Sequence, residues 1–232
     1  MCIKGDLISM GINERFRRCV LNGYYRIKGM GVFAFVPLLV LYIIIPVINY
    51  SVFRYFQDRN VLYYNIVTTC RYLVPVSSVW YVLFILYHFV EETGNEILYI
   101  FSKDKSIDLI FPYLLFVVLL LPLFLVYTKM FPELCFFYWE LCMISLAYLA
   151  FAYFTAFLVN SISISVIGIL FYTICNIMIN STRNTAYVYQ EAAQDIRGYM
   201  LSAIIPYIVV AVVLIVAGKI MNRFLVKYKN TD

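Results

Sequence analysis

GVFAFVPLLVLYIIIPVINY, residues 31–50, is a run of twenty residues without a single charge. A helix rising about 1.5 Å per residue needs roughly 20 apolar residues to cross the ~30 Å hydrocarbon core of a bilayer, and this run has that length. Working outward from it, comparable runs return at 71–90 (RYLVPVSSVWYVLFILYHFV), 107–128, 135–158, 162–180 and 200–221, which predicts six spans. Across all 232 residues, 64% are hydrophobic and 13% charged. A soluble domain carries about 45–50% apolar and about 25% charged residues, so a soluble enzyme is excluded before any motif is read. Six spans use about 120 residues, and the remainder suffices only for loops and ends. One transmembrane domain over residues 1–232, an all-α integral membrane protein, is the expected architecture.

Pro37, Pro46, Pro75, Pro112, Pro122 and Pro206 fall inside the predicted spans. Neighbouring helices in a membrane satisfy the backbone groups that proline frees, so these residues do not argue against helix. Segment 51–70 is ambiguous, because its second half reads as an outward extension of the second helix. Upstream, residues 6–28 place Ile8, Ile12, Phe16, Val20 and Ile27 on one helical face, with Glu14, Arg17 and Arg18 opposite. That pattern predicts an amphipathic helix lying on the membrane or, alternatively, against a protein partner.

Orientation follows from Lys and Arg. Twelve lie at the termini and in the loop after the second span (Lys4, Arg15, Arg17, Arg18, Arg26, Lys28, Lys103, Lys105, Lys219, Arg223, Lys227, Lys229). Six lie on the other side (Arg54, Arg59, Arg71, Lys129, Arg183, Arg197). The positive-inside rule then puts both termini in the cytoplasm of a multi-pass cell-membrane protein, as an even number of spans requires. The net charge of +5 is therefore read as a topology signal, not as a nucleic-acid surface. Tyr50, Tyr55, Tyr63, Tyr64, Trp139 and Tyr199 gather at the predicted outer boundary, as an interfacial belt does. Six cysteines without a CxxC pair, and His88 as the single histidine, predict free thiols and no zinc site. A bridge between Cys70 and Cys135, both near the outer face, stays open.

Between the second and third spans the chain reads Glu91-Glu92-Thr93-Gly94-Asn95-Glu96-Ile97-Leu98-Tyr99-Ile100-Phe101, followed by Ser102-Lys103-Asp104-Lys105. Acids first, an apolar end with Ile97 and Phe101 four apart, then lysines: this predicts a short helix whose charges complement its dipole. Such an apolar knob among charges suits a protein groove, or the membrane surface.

That loop resembles the coupling helix of the permease subunits of type-2 ABC exporters, in which an acidic-Gly-acidic-Leu stretch follows the second helix and a small basic patch precedes the third. The helix at 6–28 looks like their elbow helix. The late loop 181–199 matches the place where the family carries short outer helices before the sixth span. By this resemblance Glu91, Glu92, Gly94, Glu96, Leu98, Tyr99 and Phe101 would touch an ATPase subunit. It also implies two permeases, identical or not, working with two ATPases. A Walker A loop needs glycines ahead of a Gly-Lys-Ser/Thr end, and the candidate Gly218-Lys219 is followed by Ile220 at a membrane end. No cofactor is therefore expected in this chain, and ATP and Mg²⁺ would be bound by the partner ATPase.

The resemblance further implies that the second and fifth helices line a cavity, which singles out Trp80, Phe84, Phe171 and Tyr172. An aromatic, charge-poor cavity suits amphipathic or hydrophobic cargo, with a small peptide such as a bacteriocin or toxin preferred over a drug or a lipid-linked glycan. Asn176 and Asn180 are candidates for lining a pathway. An ionisable residue inside a span is a functional hypothesis by default. Glu140 either pairs with Arg71 across helices, faces an exit path and meets substrate, or is an ordinary interfacial acid.

Two other classes compete. A motor-free membrane structural or immunity protein needs no ATPase. An intramembrane protease is suggested by Phe84-x-x-x-His88 followed by Glu91-Glu92. That protease pattern requires an arginine four residues after the second glutamate, where this chain has Glu96, and a further histidine, which it does not contain.

Overall fold

The structure, a computed structural model, describes Leu21, Tyr24, Tyr25 and residues 27–90, 109–180 and 204–229, without the side chains of 88, 89, 176, 179, 180 and 223–229. The elbow segment falls largely outside the described residues, as do the coupling segment 91–105 and the late loop 181–199. Nearly every described residue is helical, and none lies in a strand. Among the described residues, six long helices follow in chain order: α1 (Gly31–Phe56), α2 (Arg59–Val90), α3 (Ile110–Met130), α4 (Leu134–Val159), α5 (Ile162–Asn180) and α6 (Ile205–Lys229). Five of them, all except α5, are long and apolar enough to cross a membrane. In α5 the apolar stretch is Ile162–Cys175, within a helix of 19 residues.

Three boundaries differ clearly from those read from hydropathy, one of them the end of α6, at Lys229 instead of residue 221. α1 does not stop at residue 50 but runs to Phe56, where Gln57 adopts a left-handed backbone (φ 53°) and its N–H returns to the Phe53 carbonyl. α2 begins at Arg59 instead of residue 71, behind Asp58, whose carboxylate accepts the Asn60 N–H at 2.8 Å as a cap. Helical hydrogen bonding does not require apolar side chains, so a hydropathy window ends before the helix does. The resulting 32-residue α2 is about 48 Å long, well beyond the ~30 Å hydrocarbon core.

Tight turns join α1 to α2 and α3 to α4, and Arg59 lies over the Phe131 ring, so both turns share one end of the bundle. The α4–α5 turn, with Asn160 in a left-handed conformation (φ 55°), lies at the opposite end. α4 is the central helix: α2, α3, α5 and α6 all pack on it. It buries residues around its circumference, from Leu134, Phe137 and Leu141 to Tyr153, Ala156 and Phe157. A helix apolar on all sides belongs inside a bundle or a membrane.

Pro46 is accommodated within its own helix, and Pro37 and Pro122 by neighbouring ones. Pro46 has no N–H to offer the Tyr42 carbonyl, and α1 widens over Val40–Ile44 into a π turn in which the Ile45 N–H reaches back to Val40. Pro37 likewise offers nothing to the Phe33 carbonyl, which accepts the Trp80 indole N–H of α2 at 2.9 Å. The Tyr81 hydroxyl donates to the adjacent Ala34 carbonyl, also at 2.9 Å. Near Pro122 of α3, the Leu119 carbonyl accepts the Tyr42 hydroxyl and the Val117 carbonyl accepts that of Tyr138. Aromatic donors on one helix thus satisfy carbonyls around a proline on another, as a segment without access to water requires.

Candidate functional site

Two features inside the bundle combine polar chemistry or open space with residues singled out from the sequence. The first is an ion pair between Arg71 of α2 and Glu140 of α4. The side chains are 16% and 3% exposed, so Glu140 is withdrawn from solvent and the guanidinium nearly so. Of the alternatives open for Glu140, the structure shows the pairing across helices. Glu140 lies six residues after Leu134, about 9 Å along α4, and so is not at the helix end. An isolated buried carboxylate carries a desolvation penalty of several kcal/mol, which a charged hydrogen-bonding partner offsets. Tyr207 of α6 sits within electrostatic reach of both charges, so three helices meet around the pair.

Beside it, nearer the α1–α2 turn, is a neutral polar junction that the sequence reading missed. The Asn49 side-chain N–H donates to the Tyr127 hydroxyl at 2.9 Å, and Asn65 donates to the Asn49 side-chain carbonyl at 2.7 Å. The junction ties α1, α2 and α3. Its available signal was Asn49 within an otherwise apolar run. Along the α4–α5 seam, Thr155 donates to the Ser165 hydroxyl at 3.1 Å and Thr173 to the Tyr148 hydroxyl at 3.3 Å. Small polar residues between helices are common glue in membranes.

The second feature is a cleft of about 300 Å³ between α2 and α5, lined by Trp80, Leu83, Phe84, Tyr87, Ile162 and Val166. No polar surface lines it. Phe33 stacks on Phe84 with ring centroids 6.1 Å apart, and Trp80 lies 6.0 Å from Phe84. Thus α1 supports the wall that α2 presents. Trp80 is nine residues from Arg71 on α2, about 14 Å away along the axis, so the cleft and the ion pair are separate places.

The remaining sequence candidates are distributed. Phe171 is 68% exposed on the outer face of α5. Tyr172 stacks on Phe151 and meets Tyr148 edge-on, with centroids 5.8 and 5.2 Å away, so it packs on α4. The structure therefore brings Trp80 and Phe84 together but not with Phe171 and Tyr172; Ile162 and Val166 form the α5 side of the cleft. The side chain of Asn176 and residues Glu91, Glu92, Gly94, Glu96, Leu98, Tyr99 and Phe101 lie outside the described residues. Cys70 is buried and Cys135 exposed, both as free thiols. Among the described residues no three of His, Cys, Asp and Glu gather as a metal site would need. No protein-family model, curated protein or solved structure matches this chain.

Proposed function

We propose that this chain is the six-span permease subunit of an ATP-driven exporter of the kind the 91–105 segment resembles, moving an amphipathic or hydrophobic cargo, preferably a small peptide, out of the cell. It works as a homodimer or heterodimer with two copies of a separate ATPase that binds ATP and Mg²⁺. Its termini are cytoplasmic.

The observation that supports this reading is the place of α2. The helix runs unbroken for 32 residues to Val90, immediately before the proposed coupling segment, and it touches α1, α3, α4 and α5. A push delivered at residues 91–101 enters a rod already packed on four others. That rod carries Trp80 and Phe84 beside the cleft and, about 14 Å further along, the Arg71–Glu140 pair. Closure of the ATPases moves α2 as a rigid body between two packings, and cargo is released because its affinity differs between them. In this reading Trp80, Phe84, Glu140, Phe171, Tyr172 and Asn176 are the residues that cargo meets on its path.

Mild solubilisation and pull-down of the full chain from its native membrane test the proposal. An ATPase carrying Gly-x-x-x-x-Gly-Lys-Ser/Thr is expected to co-purify, and Phe101→Asp is expected to lower the associated ATP hydrolysis several-fold. Absence of such a partner, with activity indifferent to Phe101→Asp, overturns the exporter reading. The motor-free structural or immunity protein is then favoured by a specific observation: the ion pair and the Asn49–Asn65–Tyr127 junction join helix to helix, as a static scaffold would.

A further inference from the structure

We propose that the α2–α5 cleft is a binding site for one acyl chain of a membrane phospholipid, entering sideways from the bilayer. Its lining is entirely apolar, and its one aromatic N–H, on the Trp80 indole, is already given to the Phe33 carbonyl of α1. A sugar, or the backbone of a cargo peptide, lodged inside would leave its polar groups without partners, at a cost of about 1–3 kcal/mol each, so in the proposed function cargo meets Trp80 and Phe84 with apolar side chains only. Hydrocarbon has nothing to satisfy. The volume of about 300 Å³ equals roughly ten groups of about 30 Å³, the share of one water in the liquid. From Trp80 to Tyr87 the lining spans seven residues of α2, about 10 Å along the helix.

Its position in the bundle agrees. Ile162 is the first residue of α5, directly after the α4–α5 turn, and Tyr87 lies three residues before the end of α2. The cleft therefore lies near the end of α2 and the start of α5, so a chain bound in it leaves its headgroup near Tyr87 and the exposed Ser163. Bilayer hydrocarbon is also the occupant always present beside α2, a candidate span, and the apolar start of α5. The site needs no motor and stands if the exporter reading fails.

Trp80 reports on its own occupant, because the chain has only one other tryptophan, Trp139. A Trp139→Phe protein, reconstituted in phosphatidylcholine brominated on its acyl chains and then transferred into bromine-free detergent, isolates Trp80 emission. The reference is Val216→Trp in a chain also carrying Trp80→Phe and Trp139→Phe. Val216 is exposed on α6, two residues before Gly218, which faces Tyr153 of the cluster that also holds Val82 and Ile85. In the bilayer both tryptophans are quenched by heavy atoms. In detergent the Val216→Trp signal should recover at once, while Trp80 stays quenched several-fold more, held by a retained chain. Adding Val166→Phe, which fills the cleft, should make Trp80 recover with the reference. Simultaneous recovery of both in the chain with Val166 intact, or a Trp80 never quenched in the bilayer, overturns the proposal whether or not Val166→Phe folds.

Discussion

Arg71 and Glu140 sit on different helices, 69 positions apart in sequence, yet neither is tolerable in this interior without the other. Removing one partner of a buried pair leaves an uncompensated charge and costs about 3–5 kcal/mol, whereas replacing both with apolar residues of similar volume is often neutral. Glu140→Leu and Arg71→Met are each expected to lower the unfolding midpoint in detergent, and the double variant to be more stable than either single one. Thermal unfolding of the four proteins as a double-mutant cycle checks this; additive losses would show that the pair is not coupled. The sequence offered both residues and pairing as one choice among three. It did not distinguish them, because burial of Glu140 depends on α2 beginning at Arg59 and thus on how the two helices align.

At the scale of the element, the seam between α4 and α6 depends on small residues. A Cβ added at Gly218 would lie 2.5 Å from the Tyr153 ring and 3.4 Å from the Phe154 Cα, with Tyr153 itself fully buried. Ala147 and Ala150 face Ala211 in the same interface. With no large side chains between them, the two backbones approach closely, which is how helices gain packing in lipid. Gly218→Leu is expected to cost about 1–3 kcal/mol by overpacking, and Gly218→Ala less. Protease cleavage of α6 in detergent would rise accordingly, while Val213→Leu on the exposed face should change nothing. The apolar runs were legible as helices because a bilayer demands one length of every span. Their ends were not: residues 51–56 and 59–70 continue helices through Arg54, Asn60 and Asn65, whose polar side chains are invisible to a helix backbone but not to a hydropathy window. The Asn49–Asn65–Tyr127 junction was hidden for a related reason, since it joins three helices whose mutual rotation no local pattern encodes.

The described helices form a bundle around α4, with α1 and α6 showing most of their apolar surface outward. That distribution agrees with a lipid surround, and five helices have the length and hydropathy to span it. The charge asymmetry and the resemblance of 91–105 carry the functional account, in which a motor encoded elsewhere grips the chain just beyond Val90. A photo-crosslinking residue at Phe101, activated in native membranes and followed by identification of the adduct, tests that grip most directly. The account predicts a covalent adduct with a polypeptide carrying a Walker A loop, lost when that polypeptide is deleted. Adducts with lipid alone would contradict it.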